Sequence, residues 1–417
     1  MKKIISICLI LMLGCSLLAS CTNGVKAADL MEGIKRQEGK QTVLTSSEYA
    51  PALTDFAVRL FKCCYNNGEN QLVSPVSVMM ALGMTANGAK GETLSQLEEA
   101  FGIRIDTLNQ YLYNYMDRMR IMSASGKGTL KLANSIWFSE QFRNISRDFL
   151  QKNADFYDAD IVRRKFDGSA VAEINQWVND KTDGMIPKIL DKIGEEDVMF
   201  LVNALSFDAE WLNAYGKEAV REGVFIKEDG TETEAEFMSS AENVYIEDEN
   251  ATGFIKYYKQ RDFAFIGLLP NEGTSVSDYV SSLEGEKLAN LISSAQNREV
   301  WVKIPKLSFD YSLEMEATLE KMGITDAFDP GKADFSDIQT GESENKLYIS
   351  RVVHKTKIKV DENGTKAGAA TIVTASGTTS LNNTTEIPKV YLDRPFVFML
   401  IDTVSNVPFF IGTVMEM

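Results

Sequence analysis

Residues 198–207 read VMFLVNALSF, with only Asn203 and Ser206 polar. A strand that is apolar at nearly every position is buried on both faces of a sheet, so this run predicts a central strand. Downstream the chain keeps strand character. Residues 254–269 hold two β-rich runs around Lys259-Gln260-Arg261-Asp262, which predicts a hairpin. Residues 301–309 and 356–360 alternate, and residues 390–401 and 409–414 predict closing strands. Upstream the pattern is helical. Phe56, Leu60, Cys63 and Cys64 form a stripe that stops at Asn66-Asn67-Gly68. Ser74-Pro75 is an N-cap followed by proline at the first helical position, and residues 76–86 continue that helix. Thr93-Leu94-Ser95-Gln96 matches a capping box, with the helix ending near Gly102. Ile174, Trp177 and Val178 mark another helix ending at Gly184, and Met315, Leu319 and Met322 one closed by Gly323. Helices followed by strands predict an α+β domain rather than an alternating parallel fold.

Composition narrows the function. Of 417 residues, 43 are Lys or Arg and 59 are Asp or Glu, a net charge of -16. Such an acidic chain is a poor partner for phosphate backbones, so no nucleic-acid partner is expected. The one histidine, His354, excludes mechanisms needing two imidazoles. Cys63 and Cys64 are adjacent and the other three cysteines lie in the first 21 residues, so no disulfide framework and no Cys-x-x-Cys metal knuckle exists. Both are expected as reduced thiols on one helix, at least one in the core. Gly83 and Gly88 have phosphate-loop spacing, but Ala89-Lys90 follows and the stretch lies in a predicted helix. No Gly-x-Ser-x-Gly elbow occurs, and a hydrolase would have to use His354. No metal or cofactor is expected.

The amino terminus reads as an export signal. Lys2 and Lys3 precede the mostly apolar residues 4–18, too short for a membrane span. Leu18-Ala19-Ser20-Cys21 resembles a bacterial lipobox, which would make residues 1–20 a signal peptide and Cys21 the lipidated first residue. Thr22 follows it, and resemblance to bacterial lipoproteins then favours the outer membrane, facing the periplasm or the cell surface, or release outside. Residues 21–49 are expected to be the lipidated cysteine and a polar tether, and residues 50–417 one domain.

Residues 361–388 lie between strand signals yet lack sustained apolar periodicity. Residues 374–385 read TASGTTSLNNTT, ten of twelve being Thr, Ser, Asn or Gly, so this half predicts a loop. Residues 364–373 read GTKAGAATIV. Here Thr365, Ala367, Ala369, Thr371 and Val373 alternate as small or β-branched positions, with Lys366 on the other face. A loop that can become a strand is a switch candidate.

Several dispersed motifs carry a resemblance to the serpins, over residues 50–417. Asn70-Gln71-Leu72-Val73-Ser74-Pro75-Val76-Ser77 is similar to the family's N-x-x-x-S-P-x-S. Asn175-Gln176-Trp177-Val178-Asn179, followed by Thr182-Asp183-Gly184-Met185-Ile186, is similar to a second signature, and Leu201-Val202-Asn203-Ala204 with Trp211 to a third. Ile304-Pro305-Lys306, Val353-His354-Lys355, Asp361-Glu362-Asn363-Gly364-Thr365, Arg394-Pro395-Phe396 and Phe410-Ile411-Gly412 complete the set.

The resemblance implies a large central sheet with further sheets, about eight or nine helices and an exposed reactive-centre loop at about residues 362–388. It implies inhibition of serine endopeptidases, with cysteine endopeptidases a second class. The protease cuts the loop and forms an acyl-enzyme; the loop then inserts into the large sheet and drags the protease across. By the same resemblance Glu362, Gly364 and Thr365 are the hinge, and Ala367, Gly368, Ala369 and Ala370 its small-residue run. Lys306 and Glu362 are an ion pair where insertion begins. Ser74, Ser77, Asn203 and His354 are a polar cluster under the sheet's centre. Lys366 stands where many inhibitors have an acid, and Ala209 where a glycine is usual. The span from Glu362 to Pro395 is longer than common. Counting from the hinge places the scissile bond at Thr378-Thr379, while counting back from Arg394-Pro395-Phe396 places it at Thr384-Thr385. Thr378 is preferred, with Ala375 and Leu381 in reserve. No Arg or Lys lies between 367 and 388, which disfavours a trypsin-like target and favours an elastase- or subtilisin-like one. A monomer is expected, with loop-sheet polymerisation as its hazard. The rival within the fold is a non-inhibitory serpin, cut as a substrate or serving to bind, because added loop length slows insertion.

Overall fold

The computed structural model describes residues 28–38, 44, 46–124, 129–194, 196–341, 346–365 and 386–417. In chain order the elements begin with β1 (Ala28–Asp29), α1 (Ser46–Cys64), β2 (Gln71–Val73), α2 (Pro75–Ala86), α3 (Gly91–Phe101), α4 (Ile105–Ala124), β3 (Thr129–Ser139), α5 (Arg147–Tyr157), β4 (Asp160–Arg164) and α6 (Gly168–Lys181). Then come β5 (Met199–Glu210), β6 (Val220–Ile226), β7 (Glu232–Glu247), β8 (Ala251–Tyr257), β9 (Phe263–Pro270), α7 (Val276–Ser282) and α8 (Gly285–Ser293). The chain closes with β10 (Gln296–Pro305), β11 (Leu307–Glu314), α9 (Glu316–Lys321), β12 (Arg351–Val360), β13 (Gly364–Thr365), β14 (Lys389–Tyr391), β15 (Phe396–Asp402) and β16 (Val407–Val414).

The strands form two sheets. The main sheet has the order β1-β4-β3-β5-β13-β12-β11, and a nine-stranded one runs β14-β10-β7-β8-β9-β15-β16-β2 with β6 on β7. Every residue of α2 is buried, and the helix packs between β5 and β16. Its start is fixed locally: the Ser74 hydroxyl accepts the Ser77 N–H at 3.3 Å and Pro75 occupies the first turn. The central strand is as expected: every position of β5 from Met199 to Phe207 is buried. Cys63 and Cys64 are free thiols on α1, with Cys64 buried; burial pushes its pKa up to about 12.

Four local expectations change. The α3 helix opens at Gly91 without a side-chain cap, because the Thr93 hydroxyl accepts the Asp334 N–H instead. Residues 301–309 split between sheets: β10 ends at Pro305 and β11 starts at Leu307. Residues 390–401 likewise split into β14 and β15 around Asp393-Arg394-Pro395. Part of the expected tether is docked. Here β1 pairs antiparallel with β4, and Leu30 N–H donates to the Ile161 carbonyl at 2.9 Å. The Arg36 guanidinium lies 4.0 Å from the Tyr113 ring centre and 2.8 Å from Asp117 Oδ1, while Gln37 N–H donates to Asp155 Oδ1. Leu30, Met31 and Ile34 pack on the core, an apolar grip hidden by the segment's polar average. Among the described residues no helix is long and apolar enough to cross a membrane, and no group of side chains is arranged to hold a metal.

Candidate functional site

Strands β5 and β12 run parallel and pair directly at five positions, from Phe200 opposite Arg351 to Ala204 opposite Lys355. Past Ala204 they separate, and β13 lies between them at the far end of the gap. Gly364 pairs antiparallel with Glu210, and Thr365 with both Ala209 and Val360. The predicted hinge is therefore already a two-residue strand at the upper end of the main sheet. Gly364 is required by close approach: a Cβ there would lie 2.0 Å from the Ala209 carbonyl oxygen.

The hinge hangs on aromatic residues that follow β5. Trp211 donates its backbone N–H to the Asn363 carbonyl at 2.8 Å and its indole N–H to the Asp361 carbonyl at 2.9 Å. Tyr215 N–H donates to the Glu362 carbonyl at 2.9 Å. Trp211 stacks on Tyr258 with ring centres 4.5 Å apart, and the Tyr258 hydroxyl lies 2.6 Å from Thr365 Oγ1. Thr365 is 2% exposed, so its hydroxyl needs that partner. The expected ion pair is present: Lys306 Nζ is 3.0 Å from Glu362 Oε2 and also 3.3 Å from Glu236 Oε2. A backbone hydrogen bond and the Lys306 ammonium hold the Glu362 carboxyl below its usual range. Both partners are partly exposed, so the pair contributes at most about 1 kcal/mol.

Lower in the sheet the predicted polar cluster assembles. His354 and Asn203 are register partners on β12 and β5. His354 Nε2 accepts the Ser74 backbone N–H at 3.1 Å, and Ser74 in turn caps α2 through Ser77. Asn203 donates to the Asn134 side chain on β3, and Asn134 donates to the Tyr157 carbonyl at 2.8 Å. Ser77 Oγ and Asn203 Oδ1 are buried without a partner among the described residues. Burial lowers the His354 pKa to about 4. With Nε2 occupied by a backbone N–H and the ring 3% exposed, His354 is a structural acceptor and a poor candidate base.

Tyr258, Tyr215, Glu236 and Asn134 are contributors that sequence reasoning missed. None sits in a recognisable motif; Trp211 does, but its motif assigns it no task. Ala367, Gly368, Ala369 and Ala370 of the hinge run, the cleavage candidates Ala375, Thr378, Thr379 and Leu381, and Cys21 lie outside the described residues.

The family profile described as Serpin (serine protease inhibitor) matches residues 51–417. A crystal structure of the thermophilic serpin tengpin in its native state superposes with a TM-score of 0.87 at 46% identity, covering 94% of this chain and all of that one. A loop C-sheet serpin polymer matches with a TM-score of 0.77 at 44% identity, covering 92% of this chain and 99% of its own. Leukocyte elastase inhibitor from Equus caballus is 29% identical over 384 residues, 88% of this chain and 98% of that protein. Family members are generally protease inhibitors rather than enzymes, although some do not inhibit. With its two sheets and a profile match over residues 51–417, the chain belongs to the serpin family.

Proposed function

We propose that this serpin traps serine endopeptidases as a suicide substrate, its cut loop entering the main sheet between β5 and β12. The observation that carries this reading is the register of β13. Gly364 faces Glu210 and Thr365 faces Ala209. Continued without a bulge, that register sets Lys366 opposite Asp208 and Ala375 opposite Met199, the first residue of β5. Thr365 already points inward, so Ala367, Ala369, Thr371 and Val373 would follow it onto the buried face, and Lys366 would point outward. Thr378-Thr379 then lies three residues past the end of the sheet, where a bond held by a protease belongs. Ala375 and Leu381 remain the reserves.

Insertion would break the five direct β5–β12 pairings and replace them with antiparallel ladders on both sides of the new strand. The absence of Arg and Lys between 367 and 388 favours elastase- or subtilisin-like targets, and the similarity to a protein named leukocyte elastase inhibitor fits that class. Cysteine endopeptidases using the same acyl chemistry are secondary targets. The lipobox-like segment supports lipidation at Cys21 after removal of residues 1–20, with tethering at a bacterial outer membrane, facing the periplasm or the cell surface, or release outside. The working form is a monomer, with loop-sheet polymerisation its failure mode. The second reading, a serpin cut without trapping, rests on the long span between Glu362 and Pro395.

Mixing residues 22–417 with neutrophil elastase, subtilisin and trypsin, followed by denaturing gels and intact mass of the released peptide, tests both. The expected result is a denaturant-stable adduct with elastase or subtilisin and a peptide beginning at Thr379. Cleavage with no adduct and no rise in thermal stability would leave only the second reading.

A further inference from the structure

Lys256 is 1% exposed. Its ammonium lies 2.6 Å from Glu242 Oε1 and 3.4 Å from the Asn213 carbonyl oxygen. A buried ion pair is weak evidence of added stability. This one lines a cavity of about 280 Å³, bounded also by Asn213, Asn243, Arg261 and Asn297. One water takes roughly 30 Å³ of liquid volume, so the space suits several waters or one molecule of amino-acid size.

The cavity presents two open valences. Glu242 Oε1 accepts from Lys256 and from the Ser240 hydroxyl, whereas its Oε2 has no partner among the described residues. Arg261 rests over the Tyr257 ring at 5.1 Å and has no carboxylate partner among the described residues. A free carboxylate oxygen, a free guanidinium and three side-chain amides match a small polar zwitterion.

The same wall carries the hinge. The Lys256 ammonium lies 4.5 Å from the Tyr215 ring centre and 5.3 Å from that of Trp211. The Tyr215 hydroxyl also meets Ser240 Oγ at 3.2 Å. Tyr215 and Trp211 are the residues whose N–H groups hold the carbonyls of Asp361, Glu362 and Asn363. We propose that this cavity binds an amino-acid-sized zwitterion, its carboxylate on Arg261 and its ammonium on Glu242 Oε2, and that occupancy steadies the hinge strand in the sheet.

The test titrates L-glutamine into residues 22–417, with acetate and methylamine as half-ligands. Calorimetry measures binding, thermal unfolding measures stabilisation, and hydrogen exchange reads the amides of Gly364 and Thr365. Glutamine is expected to bind more tightly than either half-ligand and to raise the unfolding midpoint by about 2 °C near tenfold saturation. It is expected to slow exchange at Thr365 at least about twofold. Arg261→Ala, an exposed position that leaves the Lys256–Glu242 pair intact, should weaken binding about tenfold, and Arg261→Lys should restore part of it. No binding up to about 50 mM glutamine, or equal binding by Arg261→Ala, would overturn the site. Binding with unchanged exchange at Thr365 would overturn the coupling. None of these readouts involves a protease, so they stand apart from whether the protein traps one.

Discussion

The upper and middle parts of the main sheet treat the same pair of strands differently. At the top, β5 and β12 are parted and Gly364–Thr365 lies between them, with every carbonyl from Asp361 to Asn363 held by Trp211 or Tyr215. In the middle the same strands are zipped over five positions and backed by the buried set of His354, Ser74, Asn203 and Asn134. At the top the pairing of Gly364 and Thr365 with β5 is in place, whereas the middle is closed and carries two buried polar atoms without partners among the described residues, Ser77 Oγ and Asn203 Oδ1. Unpartnered buried groups make a closed state less stable than a fully paired one. If the loop inserts as proposed, the barrier lies in the middle, where five β5–β12 pairings must break, and the direction and register are set at the top.

The largest expected effect breaks the top. Thr365→Arg places a guanidinium against Tyr258 and the Trp211 stack, where burying an unpaired charge costs several kcal/mol. Loop cleavage should continue while the denaturant-stable adduct disappears, read on gels at increasing inhibitor-to-protease ratios. An adduct formed as in the unaltered protein would mean that the register is wrong.

Next comes a pH dependence that belongs to the middle alone. His354 has a pKa of about 4 when folded against 6.5 when exposed, so the unfolded chain binds the proton first as pH falls. Stability is present above about pH 6.5 and is lost as pH falls towards 4, by up to about 3 kcal/mol. Denaturant unfolding at several pH values measures it, and His354→Gln should flatten the slope in that window. An unchanged slope would assign the acid sensitivity to carboxylates elsewhere.

A smaller effect serves as a control at the far edge of the sheet. Arg36→Ala removes the contacts to Tyr113 and Asp117 that hold the amino-terminal strap, and should lower stability by about 1–2 kcal/mol. If the insertion path lies between β5 and β12, the cleavage position should not move. Lys306→Ala should change stability by less than about 1 kcal/mol, because the pair with Glu362 is partly exposed and backbone hydrogen bonds hold the hinge independently. A larger loss would make the ion pair, not Trp211 and Tyr215, the support of the upper gap.

Much of this contrast was legible in the sequence. Continuous apolarity announced β5, Ser74-Pro75 fixed the start of α2, and the family motifs named the hinge, the ion pair and three of the residues around His354. What escaped depends on partners distant in the chain. Asn134 lies in β3, whose polar residues at 131, 134 and 135 masked a strand placed before the helix–strand transition. Tyr258 acquires its task only because β8 ends beneath Thr365. Glu236 meets Lys306 only through the pairing of β7 with β10. Thr93 has the right spacing for a cap, but a tertiary donor, Asp334, claims its hydroxyl. The docked strap was hidden because a polar average conceals three apolar residues at 30, 31 and 34.

The most direct test of insertion between β5 and β12 is a crystal structure of the protein after limited cleavage of its loop by subtilisin. It should show residues 366–375 as a new strand, Lys366 opposite Asp208 and Ala375 opposite Met199, with His354 no longer adjacent to Asn203. A cleaved protein in which Phe200 to Ala204 still pair with Arg351 to Lys355 would contradict it.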